Sequence, residues 1–188
     1  MFAKLKKINA VLGLLTVLLL FSHAGYIAYC YSIMYFNETV HHIFAGSLML
    51  VLMMHAVLGM SLVFLNADGT DLTLYPGYNK ATIVQRISAA FIFPMLMLHL
   101  ETFGIMNAAA EKGAAAAVIA LIAVEILFFG TVFTHISVSF SRALISLGLL
   151  VSREKQSRLD KAMYIICAVS FVAAVTAVVR TQLIMYLV

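Results

Sequence analysis

The chain has no tryptophan, two prolines and two cysteines among 188 residues, and 11% of its residues are charged. Each scarcity excludes something. A soluble domain carries about a quarter of its residues as Asp, Glu, Lys or Arg, so this chain has too little charge to cover a water-facing surface. Cys30 and Cys167 fall near opposite ends of two separate apolar runs, too far apart to bond, and read as packed thiols. No "CxxCH" is present for a covalently attached c-type haem. No cysteine set could ligate an iron–sulfur cluster, and no "GxGxxG" could cradle a flavin or nicotinamide. Any such redox centre belongs to another chain.

Apolar residues make up 64% of the chain and its mean hydropathy is +1.05. Crossing a bilayer core takes about 20 consecutive apolar residues in a helix. Five such runs occur, near 8–36, 40–65, 82–107, 115–150 and 162–187. The expected fold is all-α, a polytopic bundle of five transmembrane helices in a single domain over 1–188. The fourth run exceeds the need of a span, so its end beyond Arg142 is expected to emerge along the inner surface. Lys4, Lys6 and Lys7 precede an apolar run and "SHA" mimics a cleavage site, the pattern of a signal peptide; here it reads as a retained first span.

Those lysines, with Arg153, Lys155, Arg158 and Lys161 between the last two runs, belong on the cytoplasmic side by the positive-inside rule. The N-terminus is then cytoplasmic, in the inner membrane of the cell. The short gaps around Glu38 and around Glu111 and Lys112 face outward, and the Asn66–Lys80 loop, with a turn signal at Pro76–Gly77, faces inward. Sidedness accounts for the net charge of +4 without a nucleic-acid partner.

Histidine is the informative residue. Ionisable groups within a membrane are costly and usually face a bundle interior, a cavity or a cofactor. His41 and His42 lie at the outer interface, where a wet imidazole costs little. His23, His55, His99 and His135 lie deep in the first four runs, one in each. A rise of about 1.5 Å per residue puts His99 and His23 roughly 12 and 20 Å from the outer ends of their spans, and His55 and His135 roughly 22 and 30 Å. They sort into an outer pair, His23 with His99, and an inner pair, His55 with His135. The similar spacing within each hairpin makes runs one and two a weak repeat of runs three and four. Two neutral imidazoles at one depth on different helices can ligate a haem iron axially. Gly59 and Ser139, each four residues after an inner histidine, put a small residue on the ligand's face of the helix and leave room for a porphyrin. The competing reading is interhelical hydrogen bonding worth about 1 kcal/mol each; four histidines in two tiers favour ligation.

Three stretches carry a resemblance to a family. "TIVQRISAA" (82–90), "HISVSFSRALISLG" (135–148) and "HAVLGMSLVFLN" (55–66) are similar to segments of the membrane-anchor cytochrome b of succinate dehydrogenase and fumarate reductase, respiratory complex II. The first resembles the quinone-pocket helix of the large anchor subunit. The other two resemble the haem-ligand helices of the large and small subunits. Ser139 and Ala89 stand where that family has glycines, Ser146 and Asn66 where it has aspartates, and Ala67 where it has a tyrosine. Five spans with four helical histidines look like the single-chain, two-haem branch, whose ligand pairing agrees with the two tiers.

The resemblance implies two b haems and a membrane quinone, menaquinone by family. It implies an iron–sulfur subunit and a flavoprotein on the cytoplasmic face, and a chain that moves electrons without a dicarboxylate site of its own. Arg86, with Thr82 and Ser88, would serve the quinone or a haem propionate; a snorkelling Arg86 is the physical alternative. Arg142 would serve inner-haem propionates and Arg180 outer-haem ones. Glu125, deep in the fourth run, and Glu101, more exposed, are proton-relay candidates. Two other functions fit the sequence: a dihaem cytochrome b of another quinone-linked oxidoreductase, and a haem-free proton-coupled transporter whose histidines relay protons.

Overall fold

The computed structural model describes residues 2–65 and 76–187. The chain is all-helical among them: α1 (Phe2–Ile33), α2 (Glu38–Leu65), α3 (Pro76–Glu111), α4 (Ala115–Leu147) and α5 (Arg153–Leu187). All five helices are long and apolar enough to cross a membrane, and large side chains such as Leu50, Phe64, Phe91, Leu127 and Ile165 project outward from them. Lipid solvates such faces and leaves the backbone polar groups to satisfy one another within each helix.

Helices overrun the apolar runs wherever the flanking residues are good helix formers. The lysines at 4, 6 and 7 are already in α1, and the basic cluster from Arg153 to Lys161 forms the first turns of α5, where Arg158 bonds Glu154 one turn back. Lysine, arginine and glutamate favour helix, so the polar margins extend it. Pro76 and Gly77 open α3 instead of making a turn; proline suits the first helical position because its missing N–H has no partner there. The rest of the expected inward loop, with Asn66 and Ala67, lies outside the described residues.

The ends have local causes. α2 begins where the Asn37 side chain accepts the Val40 N–H at 3.1 Å, an N-cap. The Tyr26 hydroxyl meanwhile donates to the Asn37 carbonyl at 3.0 Å and ties α1 to that corner. α4 stops at Leu147 because Gly148 takes a left-handed conformation, φ 77°, and turns its N–H and that of Leu149 back onto the Ile145 and Leu144 carbonyls. The fourth helix therefore ends a few residues short of the expected 150.

α4 is the hub, packed on α1, α3 and α5. Toward one end Met106 and Ala109 of α3 meet Val118 and Ile122 of α4. Toward the other, Phe133 and Ile136 of α4 meet Met163 and Cys167 of α5, with Val17 and Phe21 of α1 against them. α2 is different. It packs on α1 alone, and among the described residues its backbone comes within 8 Å of none of α3, α4 or α5. Cys30 and Cys167 are both buried and free.

Candidate functional site

The four deep histidines occupy two neighbourhoods. His55 and His135 are near enough for their charges to interact, although α2 and α4, which carry them, do not pack on each other. His23 and His99 are likewise in electrostatic reach of one another, with His41 in the same group.

At the first neighbourhood, His55 Nδ1 donates to the Asn9 carbonyl of α1 at 3.2 Å. A carbonyl only accepts, so Nδ1 carries the proton and Nε2 the free lone pair. The ring lies over Gly13: a Cβ there would sit 3.0 Å from His55 Cε1. Across the bundle, His135 Nδ1 donates to the Gln85 carbonyl of α3 at 3.1 Å and lies 3.1 Å from Ser88 Oγ. The same tautomer follows. Ser88 is buried and its hydroxyl donates to the Val84 carbonyl at 2.7 Å, which leaves its oxygen to accept from His135. About two turns further along α4, Arg142 donates to Thr82 Oγ1 at 3.0 Å and to Gln85 Oε1 at 2.8 Å. A polar cavity of about 250 Å³ opens beside it, lined by Ser141, Gln156, Asp160 and Tyr164 among others.

At the second neighbourhood, His99 Nδ1 and Glu125 Oε2 are 2.7 Å apart, and Thr102 donates to the other carboxylate oxygen at 2.9 Å. Glu125 and Thr102 are buried, at 2% and 0% exposure, so this bond is shielded from water. Phe128 stacks on the His99 ring, centroids 4.9 Å apart. His23 has no such anchor: its buried Nδ1 and that of His41 lack hydrogen-bond partners, and the two rings lie 5.6 Å apart.

Not every expected residue joins these groups. Gly59 faces α1, where a Cβ would meet the Asn9 side chain at 3.7 Å, so its small size serves the α1–α2 approach. Ser139 donates to the His135 carbonyl of its own helix at 2.6 Å. Arg86 is half-buried and engaged, while Arg180 and Glu101 are exposed. Asn9, Gly13, Gln85, Thr102 and His41 belong to the site without having been singled out. Asn9 and Gln85 gave a signal, as amides in apolar helices, but both hold their histidines through backbone carbonyls, which sequence does not mark.

The donor set tests whether haem fits. Three of four deep imidazoles have Nδ1 held by an oxygen and Nε2 free, the arrangement that metal-ligating histidines adopt. Among the described residues no three His, Cys, Asp or Glu converge as a protein-only metal site. Histidine pairs from separate helices would suit a metal whose remaining ligands come from a prosthetic group. No family model, curated protein or solved structure matches this chain. The functional reading rests on the residues themselves.

Proposed function

We propose that this chain is the dihaem cytochrome b membrane subunit of a succinate:quinone oxidoreductase or quinol:fumarate reductase. It would pass electrons between a membrane quinone, of the menaquinone type, and iron–sulfur and flavoprotein subunits on the cytoplasmic face. The observation that supports the reading is the shared pinning of His55, His99 and His135 through Nδ1, together with the absence of packing, among the described residues, between α2 and α4, which carry one pair, and between α1 and α3, which carry the other. His55 and His135 would hold one haem, His23 and His99 the other; each haem supplies reversible one-electron storage within the membrane.

The chain's own part is to fix the ligands. The Asn9 and Gln85 carbonyls and the Glu125 carboxylate hold each ring through Nδ1, which would leave Nε2 available to a ligated group. Arg142, already bridging to α3, supplies positive charge near the inner pair for a propionate. Thr82, Arg86 and Ser88, successive on α3 toward that end, are the proposed quinone contacts. The basic ends of α1 and α5 would face the cytoplasmic partners.

The test is a reduced-minus-oxidised spectrum with a haem-to-protein ratio on the wild type and on His55→Ala and His99→Ala separately. Two b haems per chain, with each substitution removing a different one, is the expected result. A colourless protein overturns it, and copurification of an iron–sulfur and flavoprotein pair separates this enzyme from other quinone-linked ones.

A further inference from the structure

Among the described residues, no histidine lines the polar cavity of about 250 Å³ beside Arg142. One cation and one anion wall it instead. Arg142 comes from α4 with Ser141, and Asp160 comes from α5 with Gln156 and Tyr164, on three successive turns. The two charges share the cavity without pairing. Asp160 forms no ion pair or hydrogen bond among the described residues, while Arg142 is tied across to Thr82 and Gln85 of α3. Ser141 is 2% exposed, and its hydroxyl, unlike those of Ser137 and Ser139, does not bond back to a carbonyl of its own helix. The level of the cavity is also informative. Charged residues crowd α5 up to Lys161, and none follows until Arg180. The cavity therefore straddles the boundary of headgroups and hydrocarbon, the depth that suits the exposed Tyr164. Deeper along α5, Ile165, Val169 and Val172 are exposed in a row on one face, an apolar track for an acyl chain.

We infer that this cavity is a headgroup site for a zwitterionic aminophospholipid of the phosphatidylethanolamine kind, with the phosphate toward Arg142 and the ammonium toward Asp160. The site requires a bilayer and does not rest on the dihaem reading. A guanidinium suits phosphate oxygens because its N–H groups lie in one plane, and the Ser141 hydroxyl can give its hydrogen to the same group. A primary ammonium carries three N–H donors, which the Asp160 carboxylate and the Tyr164 oxygen can accept. Two carbons separate phosphate from ammonium in such a headgroup, so one molecule satisfies both walls at once. Other lipids satisfy one wall only. An anionic headgroup meets Arg142 but is repelled by Asp160, and a choline headgroup has no N–H to give the carboxylate.

The experiment is native mass spectrometry of the purified full chain, titrated with dioleoyl phosphatidylethanolamine, phosphatidylcholine or phosphatidylglycerol. The proteins compared are the wild type, Asp160→Asn, Gln156→Leu and, as the same charge change at the far end of α3, Glu111→Gln. The wild type should hold one phosphatidylethanolamine about tenfold more tightly than either other lipid, the worth of one hydrogen bond to a charged group. Asp160→Asn should erase that preference, and Glu111→Gln should keep it. Gln156→Leu removes a wall amide at similar volume; it should weaken phosphatidylethanolamine binding, and it decides the matter if Asp160→Asn does not fold. Equal binding of the three lipids by the wild type, or a preference that survives both cavity substitutions, overturns the site. Soluble phosphoethanolamine bound as tightly as the lipid overturns the membrane source. All these outcomes are read whether or not haem is present, so a failure here leaves the dihaem reading standing.

Discussion

A glycine beside an imidazole makes a sharp test of whether the His55 ring must lie where it does. Gly13→Ala would place a methyl 3.0 Å from His55 Cε1, closer than two carbons approach without one moving. Overpacking of this kind costs about 1–3 kcal/mol, and the displaced ring would lose its bond to Asn9. The expected outcome is a lower melting temperature and, with the dihaem reading proposed above, a haem stoichiometry reduced by one. Gly25→Ala is the control: a Cβ there meets nothing within 4 Å, and alanine is the better helix former, so stability should hold or rise slightly. Arg142 makes a second test. Removing its bonds to Thr82 and Gln85 in Arg142→Ala should cost about 1–3 kcal/mol, seen as an earlier unfolding transition in detergent. Arg142→Lys, which keeps the charge but not the planar fork, should recover only part of it. At this scale the sequence told which side chains were unusual but not what they touch. The deep histidines and Glu125 announce themselves as polar groups in apolar runs. Gly59 and Gly13 look alike on paper, and only the packing of α1 on α2 assigns both to the neighbourhood of Asn9 and His55.

Among the elements, α2 is the one attached by a single neighbour. A helix gains most of its stability from the face it buries, and α2 buries few residues, Leu48 and Leu62 among them. If a haem bridges α2 and α4, protein made in a haem-deficient host should show faster amide hydrogen exchange in α2 than in α4, and haem should restore protection to α2 selectively. Equal protection in both preparations would mean that nothing beyond α1 holds α2. Helix number and order were legible because runs of apolar residues have one stable form in lipid. The ends were less so. Pro76–Gly77 reads equally as a turn or as a helix start, and the basic stretch before α5 reads as a loop until the helix is seen to continue through it.

Across the whole molecule, α1 and α5 begin in lysine and arginine, while Glu111 and Lys112 lie where α3 turns into α4. Cysteines introduced at Lys4 and Lys155 should label with a membrane-impermeant maleimide from the cytoplasmic side only, and one at Lys112 from the opposite side only. The natural thiols are buried and add little background. Labelling of Lys4 and Lys112 positions from one side would contradict the alternation that five consecutive spans require. Charge alone supplies this expectation, because positive residues follow a rule of sidedness that needs no tertiary structure.

The single-sided attachment of α2 also bears on how such a molecule is made. α3, α4 and α5 can close on one another as soon as they have left the translocation machinery, with α1 docked against α4. α2 rests on α1 around Asn9, Gly13 and Gly59, and among the described residues no other helix packs on it. If the proposed flat group binds between α2 and α4, it could enter there from the bilayer after insertion, without unfolding of the finished bundle.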